Sequence, residues 1–257
     1  MRVLVCVKRV PLTGGRIVLT QDEQAIETRH LGFAISPHEE CGVEEAVRLV
    51  EQHGGEVVVL TLGPPEAQEQ LRDMLAVGAD RGVLLAGDTG EEWDPQATAG
   101  AIVAAIEADR AASGEEFDLI VFGNESADAG NFQVGIRVAH ALGWPVVTGL
   151  KGLSIEDGHA RCEQEVTGGR DVYLMALPAV VTVLEGINLP RYPSVPAKLR
   201  ARQKPVDTST LERPESRLQM RRLVLPPGQG KRAEVLGRGA EAAPAVVEMM
   251  REIGVTP

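Results

Sequence analysis

Aromatic residues are scarce in this 257-residue sequence, making up 3% of it. Proteins that stack nucleic-acid bases need several aromatic side chains grouped on one surface. Positive charge is also in deficit, since 26 Lys and Arg stand against 37 Asp and Glu, for a formal net charge of −11. Proteins that bind a phosphate backbone carry a basic footprint instead. The composition therefore excludes nucleic acid as the main partner.

Cysteines and long apolar runs are few as well. Cys6, Cys41 and Cys162 are odd in number and far apart, with no C-x-x-C pair between them. This spacing argues against a disulfide framework or a metal site and favours a reducing compartment. No apolar run approaches the roughly 20 residues of a transmembrane helix, and the first ten residues predict a strand, not a signal peptide. We expect a cytoplasmic protein without membrane insertion.

Apolar segments of two kinds alternate along the first two thirds of the chain. Runs typical of strands buried on both faces occur at 2–7, 56–62, 82–86, 118–122 and 179–184. Helical patterns lie between them at 43–50, 67–77, 98–108 and 133–142. The alternation predicts an α/β fold with a doubly wound, mostly parallel sheet. Ligands of such sheets bind beyond the carboxyl ends of the strands, which directs attention to the loops after the first and fourth strands.

The texture changes near residue 160. Two alternating runs, 160–166 and 171–177, are joined by Thr-Gly-Gly-Arg and predict an antiparallel hairpin added to the sheet. After Gly186 the chain is rich in proline and basic residues, which predicts an extended C-terminal arm and, at 242–253, a last amphipathic helix. We therefore divide the chain into an α/β domain that includes the hairpin, 1–186, and an extended basic arm with a C-terminal helix, 187–257. Residues 191–238 hold twelve Lys and Arg against four acidic residues.

The loop at 123–134 is the strongest candidate binding site. It follows a predicted strand, precedes a predicted helix and consists largely of small and polar residues. Backbone amides in such a loop, together with a helix N-terminus, can bind a phosphate. An ordinary strand-to-helix loop capped by Asp128 or Asn131 explains the same residues.

A second segment, 36–39, precedes the helical pattern of residues 43–50. Ser36, Pro37 and Glu39 form the pattern of a capping box, and His38 is expected to be an exposed first-turn residue. The common nucleotide and catalytic motifs are missing: G-x-G-x-x-G after a strand, the Walker loop, G-x-S-x-G and H-E-x-x-H. No residue is therefore assigned as catalytic or as a metal ligand.

Residues 163–183, EQEVTGGRDVYLMALPAVVTV, resemble the signature of electron transfer flavoprotein β subunits. Four other segments resemble sequences of the same family and occur in the same order: VCVKRV at 5–10, VEEAVRL at 43–49, GADRG at 78–82 and NLPRY at 188–192. The resemblance runs nearly from end to end. It implies an adenine-nucleotide-binding fold in the non-catalytic half of a heterodimer.

The resemblance further implies that the α subunit holds most of the FAD while this chain buries a structural AMP. Acyl-CoA dehydrogenases would deliver the electrons, and a membrane quinone oxidoreductase would receive them. Carried over by position, the cofactor-binding residues are Cys6, Ser36, Pro37, His38, Glu39, Leu62, Gly123, Asn124, Glu125, Ser126, Ala127, Asp128, Ala129, Gly130, Asn131, Phe132, Gln133 and Val134. Relatives often have a hydroxyl where this chain has Val134, so the phosphate would depend on backbone amides and Gln133.

The family also docks on its dehydrogenases through a loop that corresponds to residues 188–200. Its apolar anchor corresponds to Val195, with Arg191, Tyr192, Lys198, Arg200 and Arg202 around it. Glu165 matches an acidic residue that contacts the mobile flavin domain. Two alternatives stay open. One is a bifurcating flavoprotein subunit with FAD in place of AMP, and the other is a stand-alone nucleotide-binding or nucleotide-hydrolysing domain.

Overall fold

A parallel sheet with helices on both faces dominates the computed structural model. The structure describes residues 1–14, 17–87, 93–215, 218, 220–226 and 235–255. The strands are β1 (Arg2–Cys6), β2 (Val10–Pro11), β3 (Phe33–Ala34), β4 (Glu56–Gly63), β5 (Arg81–Ala86), β6 (Leu119–Gly123), β7 (Val146–Glu156), β8 (His159–Val166), β9 (Gly169–Ala176), β10 (Ala179–Val183) and β11 (Val206–Thr210). The helices are α1 (Pro37–His53), α2 (Gln68–Val77), α3 (Pro95–Ser113), α4 (Val134–Leu142), α5 (Val195–Ala201) and α6 (Ala243–Glu252).

Nine strands form the main sheet, in the order β11-β5-β4-β1-β6-β10-β7-β8-β9. All pairs from β11 to β7 are parallel, while β7, β8 and β9 pair antiparallel. The short strands β2 and β3 form a separate antiparallel pair. The predicted α/β class with a mostly parallel sheet is confirmed.

Strand β1 shows why its sequence lacks alternation. Val3 and Val5 pack into the apolar core on one face of the sheet, and Leu4 and Cys6 pack into the core on the other face. A strand covered by helices on both sides needs apolar residues at every position. Because β4 and β5 lie on one side of β1 and β6 lies on the other, the strand order reverses at β1. This is the topological position at which such sheets bind ligands.

The predicted hairpin is confirmed. Strands β8 and β9 pair along their whole length and are joined by Thr167 and Gly168. Gly168 has a φ of +87°, in the left-handed region that a tight hairpin turn requires and glycine adopts without strain. The hairpin extends the sheet on the side away from β11.

The C-terminal arm is interrupted by two elements that the sequence does not signal clearly. Helix α5 is a short helix whose N-cap, Ser194, accepts a hydrogen bond from the N–H of Ala197 at 3.4 Å. Strand β11 pairs in parallel with β5 at the edge of the sheet. Its residues 207–210 are polar, in keeping with their exposure to solvent. Neither has the apolar periodicity that predicts longer elements.

Two compact units divide the chain, Met1–Arg221 and Arg222–Pro257. The second contains a 3₁₀ turn (Gly239–Ala242) followed by α6, in agreement with the helix expected at 242–253. Part of the basic arm, 227–234, lies outside the described residues. The division after residue 186 into two functional regions stays a prediction. Among the described helices, none combines the length and apolar character needed to cross a bilayer.

Candidate functional site

A cavity of about 530 Å³ opens at the carboxyl ends of β1, β4 and β6, where the strand order reverses. The N-terminal turns of α3 and α4 line its other side, through residues such as Thr98 and Gly135. Every parallel strand here ends at the same edge of the sheet, so the loops that follow converge on one space. The volume lies within the range of pockets that bind small molecules and cofactors.

Many of the residues expected to bind a cofactor line this cavity. They are Cys6, Glu39, Leu62, Gly123, Asn124, Glu125, Ser126, Asn131, Phe132, Gln133 and Val134. The remaining expected residues are not part of its wall: Ser36, Pro37, His38, Ala127, Asp128, Ala129 and Gly130. His38 is half-buried, not exposed as expected, because the start of α1 packs close to Gly123.

Two of the residues outside the wall hold the 123–134 loop in place. Ser36, the N-cap of α1, accepts a hydrogen bond from the N–H of Ala127 through its Oγ at 2.9 Å. Asp128 forms an ion pair with Nζ of Lys8 at 2.8 Å. Burial raises the pKa of Asp128, but the charge of Lys8 and the hydrogen bonds from Lys8, Ser126 and the N–H of Ala129 together outweigh it, so the pKa is lowered overall. These contacts tie the loop to α1 and to the end of β1.

Glu39 connects the same elements from inside the cavity. Its Oε2 accepts hydrogen bonds from the N–H of Ser36 at 3.2 Å, completing the predicted capping box, and from the N–H of Lys8 at 3.0 Å. Burial raises the pKa of Glu39 to about 8, against the opposing effects of these two N–H groups and of the Lys8 charge. Glu39 therefore acts as a buried cross-link between β1 and α1.

Asn124 is oriented by a residue that the sequence analysis did not single out. Its Oδ1 accepts a hydrogen bond from the hydroxyl of Thr182 at 2.7 Å, while the Thr182 oxygen accepts the N–H of Gly149 at 2.9 Å. With Oδ1 engaged, the Asn124 side chain presents its NH₂ group as donor. Both Asn124 and Thr182 line the cavity.

The sequence analysis missed three further residues of the cavity wall. Lys8 and Arg9 follow β1, and Trp93 precedes α3. The Arg9 guanidinium lies over the ring of Phe33, 3.3 Å from its centroid. Basic residues directly after the first strand were a usable signal, since ligand sites lie beyond carboxyl ends of strands.

The donors of the cavity suit an anionic, hydrogen-bonding ligand. Nε of Arg9 and Nε1 of Trp93 are buried and have no hydrogen-bond partner among the described residues. Buried donors are normally paired, so a ligand acceptor would relieve them. Phe132 has a φ of +55°, a backbone conformation that bulky residues rarely adopt. Such conformations are found most often at binding sites and active sites. The free N–H groups at the start of α4 add positive potential. A ligand that carries a phosphate group fits this donor set.

The residues expected to dock a partner lie in a different place, on and before α5. Tyr192 and Val195 are 89% and 73% exposed, and Nζ of Lys198 lies 5.4 Å from the centroid of the Tyr192 ring. Arg200 is exposed in the last turn of α5. Arg191 differs from the others because it forms ion pairs with Glu44 and Glu51 of α1.

Glu165 lies near the tip of the β8–β9 hairpin, exposed and in register with Arg170 on β9. Its neighbour Glu163 forms ion pairs with Arg161 and Arg170. The described residues contain no group of three or more His, Cys, Asp and Glu side chains that could hold a metal ion.

Comparison with known proteins gives a consistent result. A family model described as "Electron transfer flavoprotein domain" matches residues 25–214. The chain is 35% identical to electron transfer flavoprotein subunit beta of Syntrophomonas wolfei, covering 98% of this chain and 96% of the relative. It is 32% identical to the subunit of the same name from Bacillus subtilis, covering 98% of each. It is also 32% identical to subunit CarD of the caffeyl-CoA reductase-Etf complex of Acetobacterium woodii, covering 80% of this chain and 77% of that one.

Proposed function

The chain belongs to the electron transfer flavoprotein family as a β subunit, and from this premise we propose that it is an electron-carrier subunit that binds AMP. It works as half of a heterodimer, with no catalytic residues of its own. The observation that carries the nucleotide proposal is the cavity at the strand-order reversal, with two buried donors that lack partners among the described residues.

The residues that would hold AMP follow from the cavity wall. Backbone amides of the 123–134 loop, the first turn of α4 and the basic side chains of Lys8 and Arg9 would bind the phosphate. Trp93 and Asn124 supply donors for the base or the ribose. AMP in this role is structural: it joins the ends of β1, β4 and β6 and so stabilises the subunit by ligand linkage.

The α subunit would hold most of the FAD, which supplies the redox chemistry of the complex. In this chain Glu165 would contact the flavin domain of that partner from the hairpin tip, where it is exposed. Exposed apolar residues on β9, Val172 and Leu174, support a partner on this edge of the sheet.

Docking of an acyl-CoA dehydrogenase-type flavoenzyme would use the surface around α5. Exposed Tyr192 and Val195 supply the apolar anchor, and Lys198, Arg200 and Arg202 surround it with positive charge. This combination fits an acidic rim around an apolar pocket on the partner. Electrons would pass on to a quinone oxidoreductase at the membrane, and we place the heterodimer in the cytoplasm.

Co-expression with the α subunit tests the proposal. We expect a stable heterodimer that retains FAD and accepts electrons from an acyl-CoA dehydrogenase. Failure to form a flavin-containing heterodimer would overturn it. Activity of the separate chain towards ATP would point to a nucleotide-hydrolysing domain instead.

A second candidate is a bifurcating subunit that binds FAD in the cavity in place of AMP. The specific observation in its favour is the likeness to subunit CarD of the caffeyl-CoA reductase-Etf complex. The two candidates differ in the nucleotide content of the purified heterodimer.

A further inference from the structure

Polar side chains connect α1 to the loop before α5, which lies about 140 residues later in the sequence. Glu44 and Glu45 are buried side chains of that helix, and Asn188 and Arg191 come from the loop before α5. Nδ2 of Asn188 donates to Oε2 of Glu45 at 2.8 Å and to the carbonyl of Cys41 at 2.9 Å. These contacts fix the start of the loop on the helix.

The guanidinium of Arg191 makes the most extensive of these contacts. It binds Glu44 in a bidentate manner, with Nε to Oε2 at 2.9 Å and Nη2 to Oε1 at 3.0 Å. It also binds Glu51, with Nη1 to Oε1 at 2.6 Å and Nη2 to Oε2 at 3.0 Å. Even the backbone N–H of Arg191 donates to Glu44, at 3.0 Å. Hydrogen bonds to Glu51 and Glu44 raise the pKa of Arg191 further.

This arrangement leaves Arg191 little capacity to act as a cation at the rim of a docking surface. Two carboxylates offset its charge, and its planar fork is already used for bidentate binding. A partner carboxylate would have to displace Glu44 or Glu51. The predicted role of Arg191 as a direct docking contact therefore conflicts with its geometry.

The far end of the same segment is anchored as well. Nη1 of Arg72, on α2, donates to the carbonyls of Ala201 at 2.8 Å and Lys204 at 2.5 Å. Nζ of Lys204 donates in turn to the carbonyls of Leu75 at 3.1 Å and Ala79 at 2.5 Å. Between the two anchors lie the exposed side chains Leu189, Tyr192, Val195 and Leu199.

We propose that Arg191 is a positioning residue. By binding Glu44 and Glu51, it holds segment 188–201 in the conformation that docks on the dehydrogenase. The inference rests on the docking role proposed above for this segment. A segment held rigid before binding avoids the entropy cost of ordering it in the complex. Arg191 thus acts on affinity through the shape of the loop and not through contact with the dehydrogenase.

The test compares Arg191→Met, Arg191→Lys, Glu51→Gln and the double variant Arg191→Met/Glu51→Gln in the heterodimer. The first readout is trypsin cleavage after Lys198 and Arg200, two sites of the segment that every variant keeps. We expect Arg191→Met to raise the cleavage rate roughly tenfold or more, since charge-assisted hydrogen bonds are lost. Glu51→Gln should raise it less, Arg191→Lys should rescue part of the protection, and the double variant should match Arg191→Met.

The second readout is electron transfer from an acyl-CoA dehydrogenase. We expect Arg191→Met and Glu51→Gln both to raise KM for the heterodimer with little change in kcat or FAD content. If Arg191 instead contacted the partner directly as a cation, Glu51→Gln would free its positive charge and would lower KM. Arg110→Met is the matched control, because Arg110, in the last turn of α3, forms an exposed ion pair with Glu116 that does not involve the segment.

The outcomes separate the positioning role from the docking function. Unchanged cleavage in Arg191→Met and in Glu51→Gln, with Val195→Ala still raising KM, would overturn positioning alone. If Arg191→Met is cleaved faster but neither this variant nor Val195→Ala changes KM, the docking function on which the inference rests is overturned. Faster cleavage together with a raised KM supports both.

Discussion

The hydroxyl of Thr182 lies 2.7 Å from Oδ1 of Asn124, and this hydrogen bond joins β10 to the loop after β6 inside the cavity. The Thr182 oxygen also accepts a hydrogen bond from the N–H of Gly149 on β7. A single buried side chain of β10 therefore connects β7 to the loop after β6. Thr182 thus decides which end of the Asn124 amide faces a ligand.

Replacing Thr182 with Val keeps the side-chain shape but removes both hydrogen bonds. We expect a loss of about 1–3 kcal/mol in the free energy of unfolding, because the N–H of half-buried Gly149 is left unpaired. Chemical denaturation of the heterodimer measures it, together with retained AMP, which should also fall. Thr208→Val, on the exposed face of edge strand β11, is the control and should change neither quantity. Equal stability of both variants would contradict the assigned role of Thr182.

Gly123, at the end of β6, lies against the start of α1. A Cβ added there would lie 2.7 Å from Cγ of Glu39 and 3.2 Å from the backbone N of Glu39. Gly123→Ala should therefore destabilise the fold by about 1–3 kcal/mol through overpacking. Gly100, within α3, has open space around its Cβ position, so Gly100→Ala should stabilise by up to about 1 kcal/mol. Thermal unfolding of both variants gives the comparison, and a stabilised Gly123→Ala would show that α1 is not packed against the loop.

Trp93 offers a buried indole N–H in the cavity wall. Trp93→Phe keeps most of the ring and removes this donor, so AMP should dissociate roughly tenfold faster if the N–H binds the nucleotide. Trp144→Phe is the control, because Trp144 packs against the core and is not part of the wall. Equal AMP release from the two variants would exclude the indole as a contact.

Glu39 should make stability depend on pH. Its pKa is about 8 in the fold because of burial, against the ordinary value of 4.5. Between these values the folded state binds more protons than the unfolded state, so the contribution of Glu39 is present at low pH and lost as pH rises towards 8. The free energy of unfolding of the wild type, measured relative to Glu39→Gln, should thus fall from pH 5 to pH 8. A difference that stays flat across this range would contradict the assigned effect of Glu39.

Most of the sheet could be predicted from sequence, because strands buried on both faces leave continuous apolar runs such as that of β1. The 123–134 loop was also recognisable, since small residues between a strand and a helix suit backbone binding. Thr182 and Trp93 join the cavity only through tertiary packing, and no local pattern marks them. Arg191 could not be assigned from sequence either, since its partners Glu44 and Glu51 lie about 140 residues away.

The central claim is that this β subunit holds AMP in the cavity while its α partner holds the flavin. Acid extraction of the purified heterodimer, followed by chromatography of the released nucleotides, tests it most directly. The account predicts AMP together with a single FAD, and loss of the AMP, but not the FAD, in Trp93→Phe. A second FAD with no AMP, or a heterodimer that releases no nucleotide besides one FAD, would contradict it.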